Sequence, residues 1–225
     1  MSVYLLVNFG IIIVPLLLSF ERRVFYYKKW PTAFRAIGFV AILYLLWDVW
    51  ATSVGHWWFN PRYVLSFKFF FLPIEEILFF VTAPFSCLFI YEVVGFFHPD
   101  SQVRINPKML WIVCFVALIT GLMTLSKGYT ALSFLSLAFF LFVAVKYGYA
   151  FIATKNFWIY IAICYVPFSI VNGILTGLPV VQYSSSAILG FRVGTIPIED
   201  FIYNFSLLGF VAIVYQHLRS QKSKS

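Results

Sequence analysis

Seven long blocks of mostly apolar residues constrain this chain more than any other feature. They run over Val3 to Phe20, Ala36 to Thr52, Ile74 to Val94, Met109 to Leu125, Tyr129 to Val145, Phe157 to Gly177 and Ile198 to His217. A helix of about twenty apolar residues crosses the hydrocarbon core of a bilayer. Lipid offers unpaired backbone groups no water to bond, so an open chain crosses it as helices. A β-barrel would need short strands alternating between apolar and polar residues, and the sequence has none. Composition agrees: 62% of residues are apolar and 11% charged, against roughly 45–50% and ~25% in soluble domains. The fold class this predicts is all-α, a polytopic membrane helical bundle of about seven transmembrane helices. The breaks carry Pro, Gly, Asn or charge, as helix ends do: Lys28-Lys29-Trp30-Pro31, His98-Pro99-Asp100-Ser101 and Ser126-Lys127-Gly128. No basic residue precedes the first apolar run, which reads as a retained helix rather than a cleaved signal.

The basic residues orient the bundle. With the N-terminus outside, the inner loops and tail hold Arg22, Arg23, Lys28, Lys29, Arg35, Arg104, Lys108, Lys146, Lys155, Arg219, Lys222 and Lys224, and the outer side holds Arg62, Lys68, Lys127 and Arg192. That is the positive-inside pattern, with the C-terminus cytoplasmic and the cell membrane as the expected location. It also accounts for the net charge of +8, because a basic inner surface faces anionic lipid. No nucleic-acid partner is needed to explain it.

The chain repeats itself. A gapless shift of 124 residues lays Ser66-Phe67-Lys68-Phe69-Phe70-Phe71-Leu72-Pro73-Ile74-Glu75-Glu76 on Gly190-Phe191-Arg192-Val193-Gly194-Thr195-Ile196-Pro197-Ile198-Glu199-Asp200, and Asp48 and Thr52 on Asn172 and Thr176. The same shift lays the first three blocks on the last three. This predicts a first repeat over 1–95, a connector with the fourth block over 96–127, and a second repeat with a basic tail over 128–225. An offset of four crossings keeps equivalent helices parallel, about an axis near the membrane normal.

Four of the eight acidic residues, Glu75, Glu76, Glu199 and Asp200, directly follow the two prolines that open helices. Pro73 and Pro197 suit a helix start, and acids there interact favourably with the helix dipole. Capping explains one such pair. It explains less well why two vicinal acids recur in both halves, since acids at or within spans are costly and usually functional. If the halves pack about a pseudo-two-fold axis, Glu75 could face Glu199 across it. Two carboxyls sharing a site do not both ionise cheaply, while Lys68 and Arg192 nearby favour the charged forms. A protonated carboxyl in an apolar cavity is a proton donor for an apolar substrate. Trp47, Trp50, Trp57, Trp58, Phe69, Phe70 and Phe71 cluster near the first pair. They read either as an interfacial belt or as faces that stabilise a cation, with Trp47, Trp50 and Phe71 as substrate-lining candidates. Asp48 and its repeat mate Asn172 should face the bundle interior, as a helix–helix hydrogen bond or as part of a site. Glu21, Glu92 and Asp100 read as solvated. Cys87, Cys114 and Cys164 read as buried thiols. With His56, His98 and His217 scattered, no metal-ligand spacing appears, and no dinucleotide fingerprint does either. No metal or cofactor is expected.

The doubled Pro-x-Glu-(Glu/Asp) motif, Pro73-Ile74-Glu75-Glu76 and Pro197-Ile198-Glu199-Asp200, resembles that of the membrane-integral lycopene cyclases in their fused, two-unit form. Nothing in the chain resembles the phytoene synthase that some of these proteins carry, or the nucleotide fold of the soluble cyclases. The resemblance implies an acyclic carotenoid as substrate and an isomerisation, of the intramolecular lyase type, with no net redox change. An acid protonates the terminal double bond, a neighbouring double bond closes a six-membered ring, and a base removes a ring proton. A β-cyclase is the reading: lycopene to β-carotene by way of γ-carotene. The family motif puts Glu75, Glu76, Glu199 and Asp200 in the acid and base roles without dividing them. Asp200 standing where the first half has Glu76 implies that the halves are not equivalent. Membrane lipid, a second copy of the chain and other carotenoid-pathway enzymes are the partners this implies. The competing reading is a small proton-coupled transporter with parallel repeats and paired acidic sites. Against it, Pro84 and Pro167, taken as the interior prolines, are not repeat mates.

Overall fold

The computed structural model describes residues 2–222; Lys224 of the basic tail lies outside them. The described chain is a helical membrane bundle. Helices α2 (Trp30–Ser53), α3 (Ile74–Phe97), α5 (Gly128–Tyr147), α7 (Lys155–Gly177) and α8 (Ile198–Lys222) are long and apolar enough to cross a membrane. Two shorter apolar helices, α1 (Val3–Leu18) and α4 (Pro107–Met123), complete the seven expected from the apolar blocks. A 3-10 turn (Tyr26–Lys29) leads into α2, and a single-turn helix, α6 (Tyr149–Ile152), precedes α7. Local chemistry sets the starts. Ser2 accepts from Leu5 N at the head of α1, Asn106 from Lys108 N before α4, and Thr154 from Phe157 N before α7, each satisfying an orphan amide of a first turn. Pro15 lies inside α1, so it joins Pro84 and Pro167 as an interior proline, and the earlier pair was incomplete.

Six short strands cap one end of the bundle: β1 (Trp57–Phe59), β2 (Lys68–Phe69), β3 (Leu72–Pro73), β4 (Val181–Tyr183), β5 (Arg192–Val193) and β6 (Ile196–Pro197). Hairpins β2–β3 and β5–β6 share one register, Lys68 opposite Pro73 and Arg192 opposite Pro197. Strands β1 and β4 pair antiparallel with Trp58 opposite Gln182, and Trp58 Nε1 donates to Gln182 Oε1 at 2.6 Å. Those two residues stand 124 positions apart. A residue paired with its own repeat mate at the centre of an antiparallel ladder marks a local two-fold axis through that pair.

The helix packing follows the same axis. α1 packs on α3 and α5 on α8, while α2 crosses to α8 and α7 crosses to α3. Two departures matter. α4 covers α5, with no counterpart over α1, and α2 also lies along α3 whereas α7 barely meets α8. Between α2, α5 and α8, Tyr44, Ser136 and Ser206 hydrogen-bond to one another at 2.7–3.1 Å, the polar bonding that joins helices in lipid. Phe140 rests on Gly209, where any Cβ would lie 2.4 Å from its ring. This seam is filled; its counterpart between α1, α3 and α7 is not.

At the other end of the bundle Glu92 is buried, not solvated as its sequence position suggests. It pairs with Lys29, accepts from Arg219 Nη1 at 2.8 Å and from Tyr215 Oη at 2.7 Å, tying the segment before α2 and helix α8 to α3.

Candidate active site

Each acid pair sits at the meeting of a hairpin and a helix. The first helical amide bonds back across the hairpin, Ile74 N to Phe67 O and Ile198 N to Phe191 O. Pro73, extended at ψ 149°, closes β3 and needs no amide partner of its own. Pro197 does the same before α8. The two acids that follow then diverge, because neighbours on a helix point ~100° apart.

The first acid of each pair turns to its own loop. Glu75 Oε1 accepts Leu65 N at 2.7 Å, and Glu199 Oε1 accepts Leu189 N at 2.7 Å and the Thr130 hydroxyl at 2.6 Å. Both side chains are fully buried, and Oε2 of each is without a partner. The second acid turns inward. Glu76 Oε2 accepts the Tyr4 hydroxyl at 2.5 Å; Asp200 accepts Tyr129 at 2.5 Å on Oδ1 and Tyr183 at 3.0 Å on Oδ2. The acids that meet in one cavity are therefore Glu76 and Asp200, which corrects the reading in which Glu75 could face Glu199 across the axis. The reason is the helical turn: it sends only one of two vicinal side chains to the seam.

The cavity has a volume of about 730 Å³ and lies between α1, α3, α7 and α8 under the β1–β4 ladder. Its capped end holds Asp48, Glu76 and Asp200. Asp48 Oδ1 accepts Trp57 Nε1 at 2.9 Å and Thr52 Oγ1 at 3.3 Å, while Oδ2 is buried without a partner. Away from the acids the walls are mostly apolar, with Gly10 and Val14 on α1, Phe80 and Ile90 on α3, and Pro167 and Val171 on α7; Ser86 on α3 is one of the few polar lining residues. From Glu76 to Ile90 the cleft follows α3 for about 21 Å at 1.5 Å per residue. It is a long apolar slot with carboxyls at one end, shaped for an extended apolar molecule.

Other expected site residues fall in different places. Asn172 lines the cavity with its repeat mate Asp48. Trp47, Trp50 and Phe71, expected to line the substrate, do not. Trp47 stacks on Tyr44 and meets Tyr203 edge-on; Trp50 and Phe71 are exposed. Closeness in sequence to the motif misled, since a hairpin tip and the outer face of a helix point away from the seam. Lys68 is exposed on its hairpin, and Arg192 donates to Thr195 O at 2.6 Å with its guanidinium 5.9 Å from the Tyr183 ring. Neither lines the cavity.

Tyr4, Tyr129, Tyr183 and Asn204 were not anticipated. Asn204 lines the cavity with its Nδ2 buried and unpartnered. Tyr183 lies on β4, outside the spanning helices; burial first, and then the adjacent Asp200, push its phenol well above the ordinary tyrosine range, so it is a hydrogen-bond donor at neutral pH. A signal for the other two tyrosines was present. Tyr4 and Tyr129 stand 125 positions apart, one off the shift that aligns the motifs, because the first half has one residue more between Tyr4 and Asp48 than the second has between Tyr129 and Asn172.

A protein-family model described as lycopene cyclase matches the chain over residues 1–94 and 126–218. The two matched segments contain one motif each and leave out the stretch that carries α4. No curated protein and no solved structure matches the chain.

Proposed function

Because the chain belongs to the lycopene cyclase family, we propose that it closes the ψ end groups of lycopene to β-rings, giving β-carotene by way of γ-carotene with no net redox change. One observation carries the reading: an apolar slot ends on three carboxyls, Asp48, Glu76 and Asp200, contributed by both halves of the chain. The polyene lies along the slot with its terminal double bond at the acids.

The roles divide by hydrogen bonding. Asp200 accepts a phenol on each oxygen, an arrangement that fits a carboxylate, and it is assigned as the base. Glu76 has one phenol partner and lies beside Asp48, whose Oδ2 has none. Neighbouring carboxyls favour sharing a proton over a second ionisation, so Glu76 is assigned as the proton donor and Asp48 as its partner. The cyclic cation forms among Tyr129, Tyr203, Trp57 and Phe79, whose ring faces stabilise positive charge. Glu75 and Glu199 hold the loops that position the second acids.

The same reading takes residues 1–95 and 128–225 as two repeat units joined by the connector over 96–127, in the plasma membrane with the N-terminus outside. The placement of Arg62, Lys68, Lys127 and Arg192 toward the strand-capped end, with Arg22, Arg23, Lys28, Lys29, Arg35, Arg104, Lys108, Lys146, Lys155 and Arg219 toward the opposite end, supports that orientation.

The test is expression in a lycopene-accumulating host with a pigment chromatogram. Cyclic products with the wild type, and retained lycopene with Glu76→Gln and with Asp200→Asn, are expected. Unchanged lycopene with the wild type would sink the reading.

A further inference from the structure

On the outer side of the β1–β4 ladder lies a second hollow of about 530 Å³, lined by Trp58, Thr176, Gln182, Arg192 and Thr195 among others. It is an open polar crevice, whereas the slot is apolar. Tyr183 lines both hollows. The other residue common to the two is Val181, which carries no exchangeable side-chain proton. The Tyr183 hydroxyl donates to Asp200 Oδ2 at 3.0 Å, and the Arg192 guanidinium stands beside its ring on the crevice side.

Ring closure leaves a bookkeeping problem in protons. Each turnover takes one from the acid and delivers one to the base, so the base must discharge before the next. The slot is apolar and filled by product at that moment. We propose that Tyr183 is a proton relay connecting Asp200 with water in the outer crevice. The proton on Asp200 Oδ2 passes to Tyr183 Oη as the phenol's own proton passes to a crevice water; Asp200 returns to carboxylate, the phenol is regenerated, and one hydronium leaves. Running backward, the same two transfers bring a solvent proton in, and once the slot empties Asp200 hands it to Glu76. Tyr183 acts through Asp200, not on the polyene. The relay rests on the cyclase reading of the site.

The test is multiple-turnover cyclisation of lycopene in liposomes made up in D₂O, with deuterium per ring read by mass spectrometry. Wild-type rings should carry solvent deuterium. Tyr183→Phe should still form rings but with several-fold less label, because the proton taken from one ring is handed to the next. Thr195→Trp, which fills the crevice from its exposed rim without touching a carboxyl, should lower the label in the same direction. Unlabelled wild-type rings, or equal label in the wild type and both variants, overturns the relay and leaves the cyclase reading standing. Should Tyr183→Phe form no rings, Thr195→Trp decides alone, and unchanged label there overturns the relay. No rings from the wild type overturns the cyclase reading itself.

Discussion

Within each motif the two acids should fail in different ways. Glu76→Gln keeps shape and the Tyr4 contact but cannot deliver a proton. General acid catalysis is worth about 10²–10⁴ in rate, so ring formation should fall by that factor, about 3–5 kcal/mol of barrier, with the thermal midpoint little changed. Glu75→Gln removes no group from the slot. Its amide oxygen still accepts Leu65 N, but a charge-assisted bond of about 1.5–3 kcal/mol becomes a neutral one of about 0.5–1.5, a stability loss of ~1 kcal/mol. Activity per folded molecule should then stay within severalfold of wild type. Glu199→Gln and Asp200→Asn should repeat the contrast, with Glu199→Gln costing somewhat more because Thr130 also bonds Glu199. The assay is initial ring-formation rate in lycopene-loaded liposomes, paired with a detergent-solution melt. If Glu75→Gln abolishes ring formation while melting like wild type, the division of the motif into a loop-holding acid and a slot-facing acid is wrong.

Gly10 lines the slot, and open space surrounds the position of its missing Cβ; Gly10→Phe should fold normally and raise KM for lycopene, and an unchanged KM would show that the polyene does not pass α1. Phe70 holds φ 53° where its repeat mate Gly194 holds 63°. Phe70→Gly should therefore gain up to about 1 kcal/mol in thermal stability and Gly194→Ala lose about 1 kcal/mol. Glu92→Ala strands Lys29, Arg219 and Tyr215. Loss of a buried ion-pair partner costs ~3–5 kcal/mol, and solvent screening of the half-exposed Arg219 brings that to about 2–3, so the melting midpoint should drop while rings still form in the folded fraction. Because the seam equivalent to the slot is filled, the two ends of lycopene should be processed in turn, and γ-carotene should rise and fall before β-carotene in a time course; β-carotene without a lag would argue against it.

The spans and the paired acids could be read from residue order because both are local: hydropathy marks a helix in lipid, and a motif is its own signal. What could not be read depended on direction. A strand of two or three residues has too little alternation to register, so the cap that covers the slot was invisible, and so was Tyr183 on it. Vicinal acids look interchangeable in sequence, and only the helical turn assigns Glu75 to Leu65 N and Glu76 to the slot. Glu92 looked like a helix-end acid near solvent because its partners, Lys29 and Arg219, come from segments far away in the chain. Tyr4 and Tyr129 escaped because a gapless shift sets Tyr4 against Gly128.

Those misses share a cause with the asymmetry of the site. A duplicated unit starts with two equivalent seams, and a few side chains decide which one stays open. Phe168 forms slot wall where its mate Tyr44 reaches across to Ser136 and Ser206. Gly10 leaves room in α1 where, one register off, α5 has Leu135 packed toward Gly121 of α4. Asp48 brings a third carboxyl where its mate is an amide. The consequence is chemical as well as steric. With identical halves, Glu76 and Asp200 would see the same partners, and neither would be preferred as donor or acceptor. Here one carboxyl has two phenol donors, and the other has one phenol and a carboxyl neighbour. The repeat supplies two acids facing one slot, and its departures from symmetry give those acids different hydrogen-bond partners, which is what supports the different work proposed for them.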